Sequence, residues 1–393
     1  MMVLPSLRTF SASALVAVIL VTLAGSAVDC VRAADLAARP KVIIDQDAFG
    51  PAGSDMQSIL MLMQDKDVDL LGISVVTGDG WRDEEVSHAL RLLEIAHRTE
   101  IPVYPGAVFP LLNTRRRALA WQRLYGSYFY DGAYMSRWPP ESTVDWTPLH
   151  PTRPYWVPPL PEGEPTIHAA KESSIDFMVR MVHRYPHQVT IIAAGPMTDL
   201  ALAAKLDPQF ASLAKQLVFM GGSFNPMPAD TPYAHEDPNT PRSEFNMYFD
   251  PEAASIVLHQ PWERITEVPI DATNPTLMSR KLLRQVAGGQ APFDRYLGRF
   301  GQVYPLWDET AVAVWLDPSL IKHEQRLQVD VDTSFTADYG SVLSWPAGAG
   351  PGTAGAPVHV VFAVDVPRLE ELVVRLLTAA KPISLPQSSS PPH

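Results

Sequence analysis

Short uninterrupted apolar runs alternate along this chain with longer segments whose apolar residues recur at helical spacing. Residues 42–44, 70–76, 102–104, 189–194 and 216–220 are of the first kind, and 55–64, 84–97, 174–185 and 199–205 of the second. Within 84–97, Leu90, Leu93, Ile95 and Ala96 define the buried side. A strand that is apolar throughout has both faces covered. Alternation of such strands with helices therefore predicts an α/β protein with an open, mostly parallel sheet and helices on both faces. In such sheets ligands bind beyond the carboxyl ends of the strands, so the chemistry is sought in the turns after each run.

The alternation is interrupted at three places. Residues 1–34 carry Arg8, an apolar stretch over residues 12–25 and small residues up to Ala34, the pattern of a secretory signal peptide cut near Ala33 or Ala34. The apolar stretch is about 14 residues, short of the ~20 a spanning helix needs, so a secreted or periplasmic protein with no membrane association is expected. Residues 107–166 are rich in tryptophan, tyrosine and proline. A long connection of this kind is either a packed surface or subunit contact, or a lid that offers aromatics to a ligand. Residues 381–393 read as a solvated tail. What remains, 35–380, is one domain with an insertion.

Composition narrows the chemistry. The formal net charge is −12, which argues against nucleic-acid polymers as partners, since phosphate binding needs basic patches. The cluster Arg115-Arg116-Arg117 reads as a solvated helix face. The one cysteine, Cys30, lies within the segment expected to be removed, leaving no thiol for disulfides, zinc-thiolate sites or a nucleophile.

The turn after the first run, Asp45-Gln46-Asp47 to Ser54-Asp55, gathers carboxylates at the end of a buried strand. Such groups repel one another and lose hydration unless a hard divalent cation joins them. Asp79 follows the second run in a Gly-Asp-Gly turn and can accept hydrogen bonds from hydroxyls. Thr198 follows the fourth, where it either caps a helix or offers its carbonyl to a metal. Glu244 and Asn246 stand two residues apart, on one side of a segment if it is extended, where they suit paired sugar hydroxyls. Asp308 opens an apolar helix, a position the helix dipole favours for any acid.

In order and spacing these stations resemble one family over nearly all of the chain beyond residue 34: the calcium-dependent nucleoside N-ribohydrolases of the inosine-uridine type. The likeness rests on the turn from Asp45 to Asp55, AAGPMTDLALAAKLDP, VFMGGSF, SEFNMYFDPEAA and WDETAVAVWLDP. It implies a Rossmann-like nucleoside hydrolase fold and hydrolysis of the N-glycosidic bond of ribonucleosides. By the same resemblance Ca2+ would be held by Asp47, Asp55, Asp308 and the Thr198 carbonyl, with Asp47 as general base and Asp45 as a supporting group. Asn239, Glu244, Asn246 and Met220 would hold the ribose, and Asp79 stands where the family usually has asparagine. A small nucleoside is the implied partner, and a homo-oligomer is expected.

The chain departs from the pattern at Ser54, where the family usually has a second aspartate that binds the sugar, so Ser54 is a weaker candidate for that contact. Trp307 stands where some members carry a histidine acid before the last metal aspartate. An indole cannot give up a proton at neutral pH but can stack on a purine, so purine ribonucleosides are the expected substrates, with an insertion aromatic closing the other face. Two rivals remain open: a haloacid-dehalogenase-type phosphatase opening on Asp-x-Asp, and an exported metal-dependent nucleoside or sugar binding protein without turnover.

Overall fold

In a computed structural model, residues 39–128, 130–138, 147–225, 243–351 and 355–385 are described. The segment read as a signal peptide, Cys30, Asn239 and residues 386–393 of the tail lie outside them. From Lys41 onward the chain forms one compact unit.

Its elements in chain order are β1 (Lys41–Gln46), α1 (Ser54–Gln64), β2 (Asp69–Val75), α2 (Arg82–Ile95), β3 (Val103–Pro105), α3 (Arg115–Tyr125), α4 (Ser174–Arg184), β4 (Val189–Ala193), α5 (Thr198–Leu206), α6 (Phe210–Leu213) and β5 (Gln216–Met220). There follow α7 (Phe245–Phe249), α8 (Pro251–Leu258), β6 (Ile265–Val268), α9 (Ile270–Thr273), α10 (Arg280–Val286), α11 (Asp294–Phe300), α12 (Trp307–Leu316), β7 (Ile321–Val331), β8 (Val342–Pro346), β9 (Val358–Val364) and α13 (Val366–Leu377). Among the described residues the strands form one nine-stranded sheet in the order β3-β2-β1-β4-β5-β6-β9-β7-β8. The strands from β3 to β9 in that order pair in parallel, and β7 runs antiparallel to both β8 and β9. The sheet is thus mostly parallel, as the apolar runs predict.

β1 is buried along its whole length because it lies between β2 and β4 and under helices on both faces. One core contains Val42, Ile44 and Val75 with apolar residues of α1, α2, α12 and α13. The other contains Ile43, Ile191 and Phe219 with residues of α4, α5 and α8. Local chemistry sets the helix starts. Asp250 accepts the Ala253 N–H ahead of Pro251, and Asp365 accepts the Arg368 N–H ahead of Pro367; these are side-chain caps followed by a residue preset for the first turn.

Two local expectations are corrected. The segment holding Glu244 and Asn246 is not extended: Glu244 caps α7, its carboxylate accepting the N–H groups of Asn246 and Met247. The basic triplet is not a solvated face. Arg117 lies over the rings of Phe335 and Tyr339, and Arg115 Nε donates to the Tyr134 carbonyl at 3.2 Å, so only Arg116 is exposed.

Candidate active site

Asp45 is level with Ser74 of β2 and Ala193 of β4, and Met220 of β5 is level with Val268 of β6. The turns that leave these strands therefore emerge along one edge of the sheet. β1 is followed by Asp47, β2 by Gly78 and Asp79, β4 by Gly195 and Thr198, and β5 by Gly221 and Gly222. α1 and α12 pack together, which brings Ser54 and Asp55 of the one to Asp308 and Glu309 of the other. The chain leaves β1 in both directions across the sheet, the crevice where open α/β sheets bind ligands.

Asp47 is 2% exposed, and its carboxylate accepts the Asp79 N–H at 3.0 Å. A Cβ on Gly78 would stand 2.1 Å from Asp47 Oδ2, and one on Gly195 2.8 Å from Oδ1. The carboxylate occupies its place only because both neighbours lack side chains. Asp55 Oδ2 accepts the Phe49 N–H at 3.1 Å. Asp308 Oδ2 accepts from Gln46 Nε2 at 2.9 Å.

These groups are held in a costly state. Burial pushes the Asp47 carboxyl well above the usual range, followed by the charges of Asp79, Glu85 and Asp308. Burial, then Asp79, Asp308 and Asp47, do the same to Asp55. Asp79 is pushed up to about 8 by burial and Asp308, against the stabilising hydroxyl of Tyr130. Asp308 rises to about 6 through burial, held down by the neighbouring Asp55 carboxyl, Gln46 and Ser54. The charges that act most strongly on Asp47 and Asp55 are all negative. Buried oxygen-only donors that repel one another fit a hard divalent cation, which removes the repulsion that otherwise forces them to take up protons. Among the described residues, no group of three or more histidine, cysteine, aspartate or glutamate side chains is placed to hold a metal ion as the chain stands.

The other anticipated residues fall as follows. Thr198 is the first residue of α5, not its cap, and its hydroxyl donates to Asp250 at 2.6 Å. Glu244 Oε2 accepts from the Gly222 N–H at 3.0 Å, and burial raises its carboxyl to about 7. Asn246 Nδ2 donates to the carbonyls of Ala194 and Met220, each at 3.2 Å, while its buried Oδ1 has no protein partner. Trp307 stacks on Tyr304 at 6.0 Å between centroids, with 11° between planes. The Ser54 hydroxyl donates to Glu309 at 2.6 Å and accepts the Asp308 N–H at 3.0 Å, so it is engaged with α12. Asp45 turns to the other side of β1, where burial and the Asp199 carboxylate raise it.

Sequence reasoning missed two groups. Gln46, between the two aspartates, accepts the Asp47 N–H at 3.0 Å while donating to Asp308. Its position between two acids at a buried strand end was the available signal. Tyr130 is an insertion aromatic beside the cluster: burial first, then the charges of Asp79, Asp55, Asp47 and Glu85, push its hydroxyl well above the usual phenol range. Nothing in the sequence distinguishes it from its aromatic neighbours.

Fold and site together define a hydrolase of N-glycosyl compounds: the chain belongs to the inosine-uridine preferring nucleoside hydrolases, whose family profile matches residues 42–371. It is 30% identical over 276 residues to a probable uridine nucleosidase 2 of Arabidopsis thaliana, covering 70% of this chain and 73% of that one. It is 27% identical over 304 residues to the inosine-uridine preferring nucleoside hydrolase of Leishmania major, covering 74% and 83%. Among solved structures, a plant nucleoside hydrolase superposes with a TM-score of 0.64 at 24% identity, covering 86% of this chain and 99% of that chain. Membership supports hydrolysis of ribonucleosides at the N-glycosidic bond.

Proposed function

We propose that the protein cleaves purine ribonucleosides to free base and ribose, with Asp47 as general base. The observation that carries this reading is the gathering of three buried carboxylates at one edge of the sheet, Asp47 from the end of β1 and Asp55 and Asp308 from the first turns of the packed helices α1 and α12. Asp47, Asp55, Asp308 and the Thr198 carbonyl would hold a divalent cation, with Ca2+ the ion their oxygen donors suit. When bound, such an ion makes water more acidic and attracts sugar hydroxyls.

Asp47 then takes one proton from the water whose oxygen attacks C1′. The C1′–N bond breaks, its electron pair leaves with the base, and the base gains a proton from solvent. Carboxylates around the ring stabilise the positive charge that develops on the sugar. The unpartnered Oδ1 of Asn246 accepts a sugar hydroxyl, and Asp79 and Glu244 take others. Trp307, half-buried beside Asp308, offers a ring face to the base; stacking is strongest for the larger purine.

Relatives named for uridine make the base preference the point to test. Initial rates on inosine, guanosine, adenosine, uridine and cytidine decide it: the reading expects the purines to be cleaved fastest, and faster uridine cleavage would refute the stacking argument.

A further inference from the structure

The insertion is docked along one side of α2, and one of its contacts reaches the turn that carries Asp47 and Asp55. Residues 130–134 meet the turn after β2: the Ala133 N–H donates to the Gly78 carbonyl at 2.8 Å, and Gly132, at φ +51, lies where a Cβ would collide with the same oxygen. Residues 147–167 then follow a polar stripe that begins at Trp81, the residue before α2, and continues through Glu84, His88, Arg91 and Glu94, spaced three or four apart as on one helix face. Trp81 Nε1 donates to the His150 carbonyl at 3.1 Å, and Glu84 Oε2 lies 3.2 Å from His150 Nε2. Arg91 Nε donates to the Glu162 carbonyl at 3.1 Å, and Glu94 accepts the N–H groups of Thr166 at 2.6 Å and Ile167 at 3.0 Å. The middle contact differs from these. The His88 Nδ1–H donates to the Glu162 carboxylate, with both side chains buried, and the His88 ring also faces the turn. A Cβ on Gly50 would lie 2.7 Å from His88 Cγ, and the Phe49 ring meets the imidazole edge-on, 5.7 Å between centroids and 69° between planes. Trp138 of the insertion lies 5.9 Å from the same phenyl ring. The Phe49 N–H is the donor that Asp55 Oδ2 accepts at 3.1 Å, and it also reaches the Asp47 carbonyl at 2.6 Å.

We infer that His88 and Glu162 are positioning residues for the cation-holding turn: Glu162 fixes the His88 ring, and the ring seats Gly50 and Phe49 so that the Phe49 N–H meets the Asp55 carboxylate. This rests on the reading of Asp47 and Asp55 as cation ligands. The torsion that turns an imidazole about its Cβ–Cγ bond has broad minima, so the bond at Nδ1 is what sets the ring plane against Gly50. A buried His–Glu pair adds little net stability over an apolar pair of the same shape, and Arg91 and Glu94 already bind the same stretch of the insertion. The pair is therefore better explained by the geometry it imposes than by anchoring. Groups that orient a metal ligand from behind govern affinity or activity by about 10–100-fold. His88 and Glu162 act through Phe49 and Gly50 and take no part in bond breaking.

The test uses the full chain, stripped of metal and freed of chelator. Calorimetry gives the Kd for calcium, and inosine turnover at saturating calcium gives kcat, for the wild type, Glu162→Leu, Glu162→Gln and Glu94→Ala. Glu162→Leu removes the acceptor at similar volume, whereas Glu162→Gln keeps one for the His88 N–H. Glu94→Ala loosens the insertion at a contact that does not touch the turn. The expected result is that Glu162→Leu binds calcium about tenfold more weakly and loses about tenfold in kcat, and that Glu162→Gln recovers most of both losses. Glu94→Ala should lower the melting temperature and leave the calcium Kd and kcat unchanged, which separates positioning from anchoring. Should Glu162→Leu fail to fold, His88→Asn, which takes the ring away from Gly50, is expected to show the same two losses. Wild-type values of both quantities in Glu162→Leu or its replacement, or equal losses in Glu94→Ala, would overturn the inference. A wild type that turns over inosine without binding calcium defeats the cation reading, and the kcat series then decides this inference. A wild type that binds calcium without turnover defeats the hydrolase reading, and the calcium series decides it. A wild type that does neither overturns all three.

Discussion

The Ser54 hydroxyl donates to the Glu309 carboxylate at 2.6 Å, joining the first turns of two helices 255 residues apart in sequence. The same oxygen accepts the Asp308 N–H at 3.0 Å, so this serine sets the position of the α12 N-terminus and with it Asp308. Ser54→Ala leaves a buried carboxylate oxygen and a buried N–H short of a partner, which costs about 1–3 kcal/mol. Denaturant unfolding should show a midpoint lowered accordingly. Ser54→Asp, which restores the residue usual in the family, adds a carboxylate against Glu309 and Asp308. Its melting temperature should fall below that of the wild type in chelator, and the deficit should narrow when calcium is added.

The buried acids give the ion-free protein a particular pH dependence. Asp79 is raised to about 8, Glu244 to about 7 and Asp308 to about 6, whereas in the unfolded chain such groups titrate near about 4. Between about pH 4 and 8 the folded state therefore keeps protons that the unfolded state has lost, and stability falls as pH rises. Melting temperatures in chelator should decline from about pH 5 to about pH 8, and calcium should flatten the decline, since a bound cation stabilises the charged forms. A melting temperature in chelator that rises over this interval contradicts the assignment.

Trp307 is assigned to the base, not to the sugar. Base–aromatic stacking is worth about 1–3 kcal/mol, so Trp307→Ala should lower kcat/KM for inosine about tenfold or more. The loss for uridine should be smaller. Equal losses on both nucleosides would mean that the indole supports Asp308 through packing on Tyr304 and does not read the base.

Asp47 depends on its glycines. Gly78→Ala would place a methyl group 2.1 Å from Asp47 Oδ2 and 2.6 Å from its Cβ, so the whole side chain must move, not only its tip. Gly78→Ala should lose about 100-fold or more of kcat, since displacement of a catalytic group by about 1 Å costs that much. Circular dichroism should show the fold retained. A variant with near-normal kcat would show that the carboxylate tolerates displacement and is not the base.

Much of the fold is legible in the sequence. The uninterrupted runs around Val42, Leu70, Val189 and Leu217 mark strands buried on both faces, and the carboxylates fall at their ends because the crevice of a parallel sheet lies there. What the sequence hid has physical reasons. Glu244 and Asn246 looked like neighbours on an extended segment, yet Glu244 is a helix cap, a role that glutamate fills less often than serine or aspartate. Ser54 looked like a reduced sugar ligand, and its bonds to Glu309 and Asp308 depend on the packing of α1 against α12, which local sequence does not encode. The insertion has no periodicity, so Tyr130 could not be separated from the tyrosines around it until Gly132 was seen against Gly78. The β7–β8 pair lengthens the sheet in the antiparallel sense beyond what the apolar runs indicate.

In the proposed mechanism Asp47 removes a proton from the attacking water within a cation-holding carboxylate cluster. Ribose release from inosine, followed before chelation, after it and on return of calcium, tests this most directly when the wild type and Asp47→Ala are run side by side. The expected result is turnover by the wild type that chelation abolishes and calcium restores, and a loss of about 100-fold or more in Asp47→Ala that calcium does not recover. Turnover undiminished by chelation, or retained by Asp47→Ala, would contradict it.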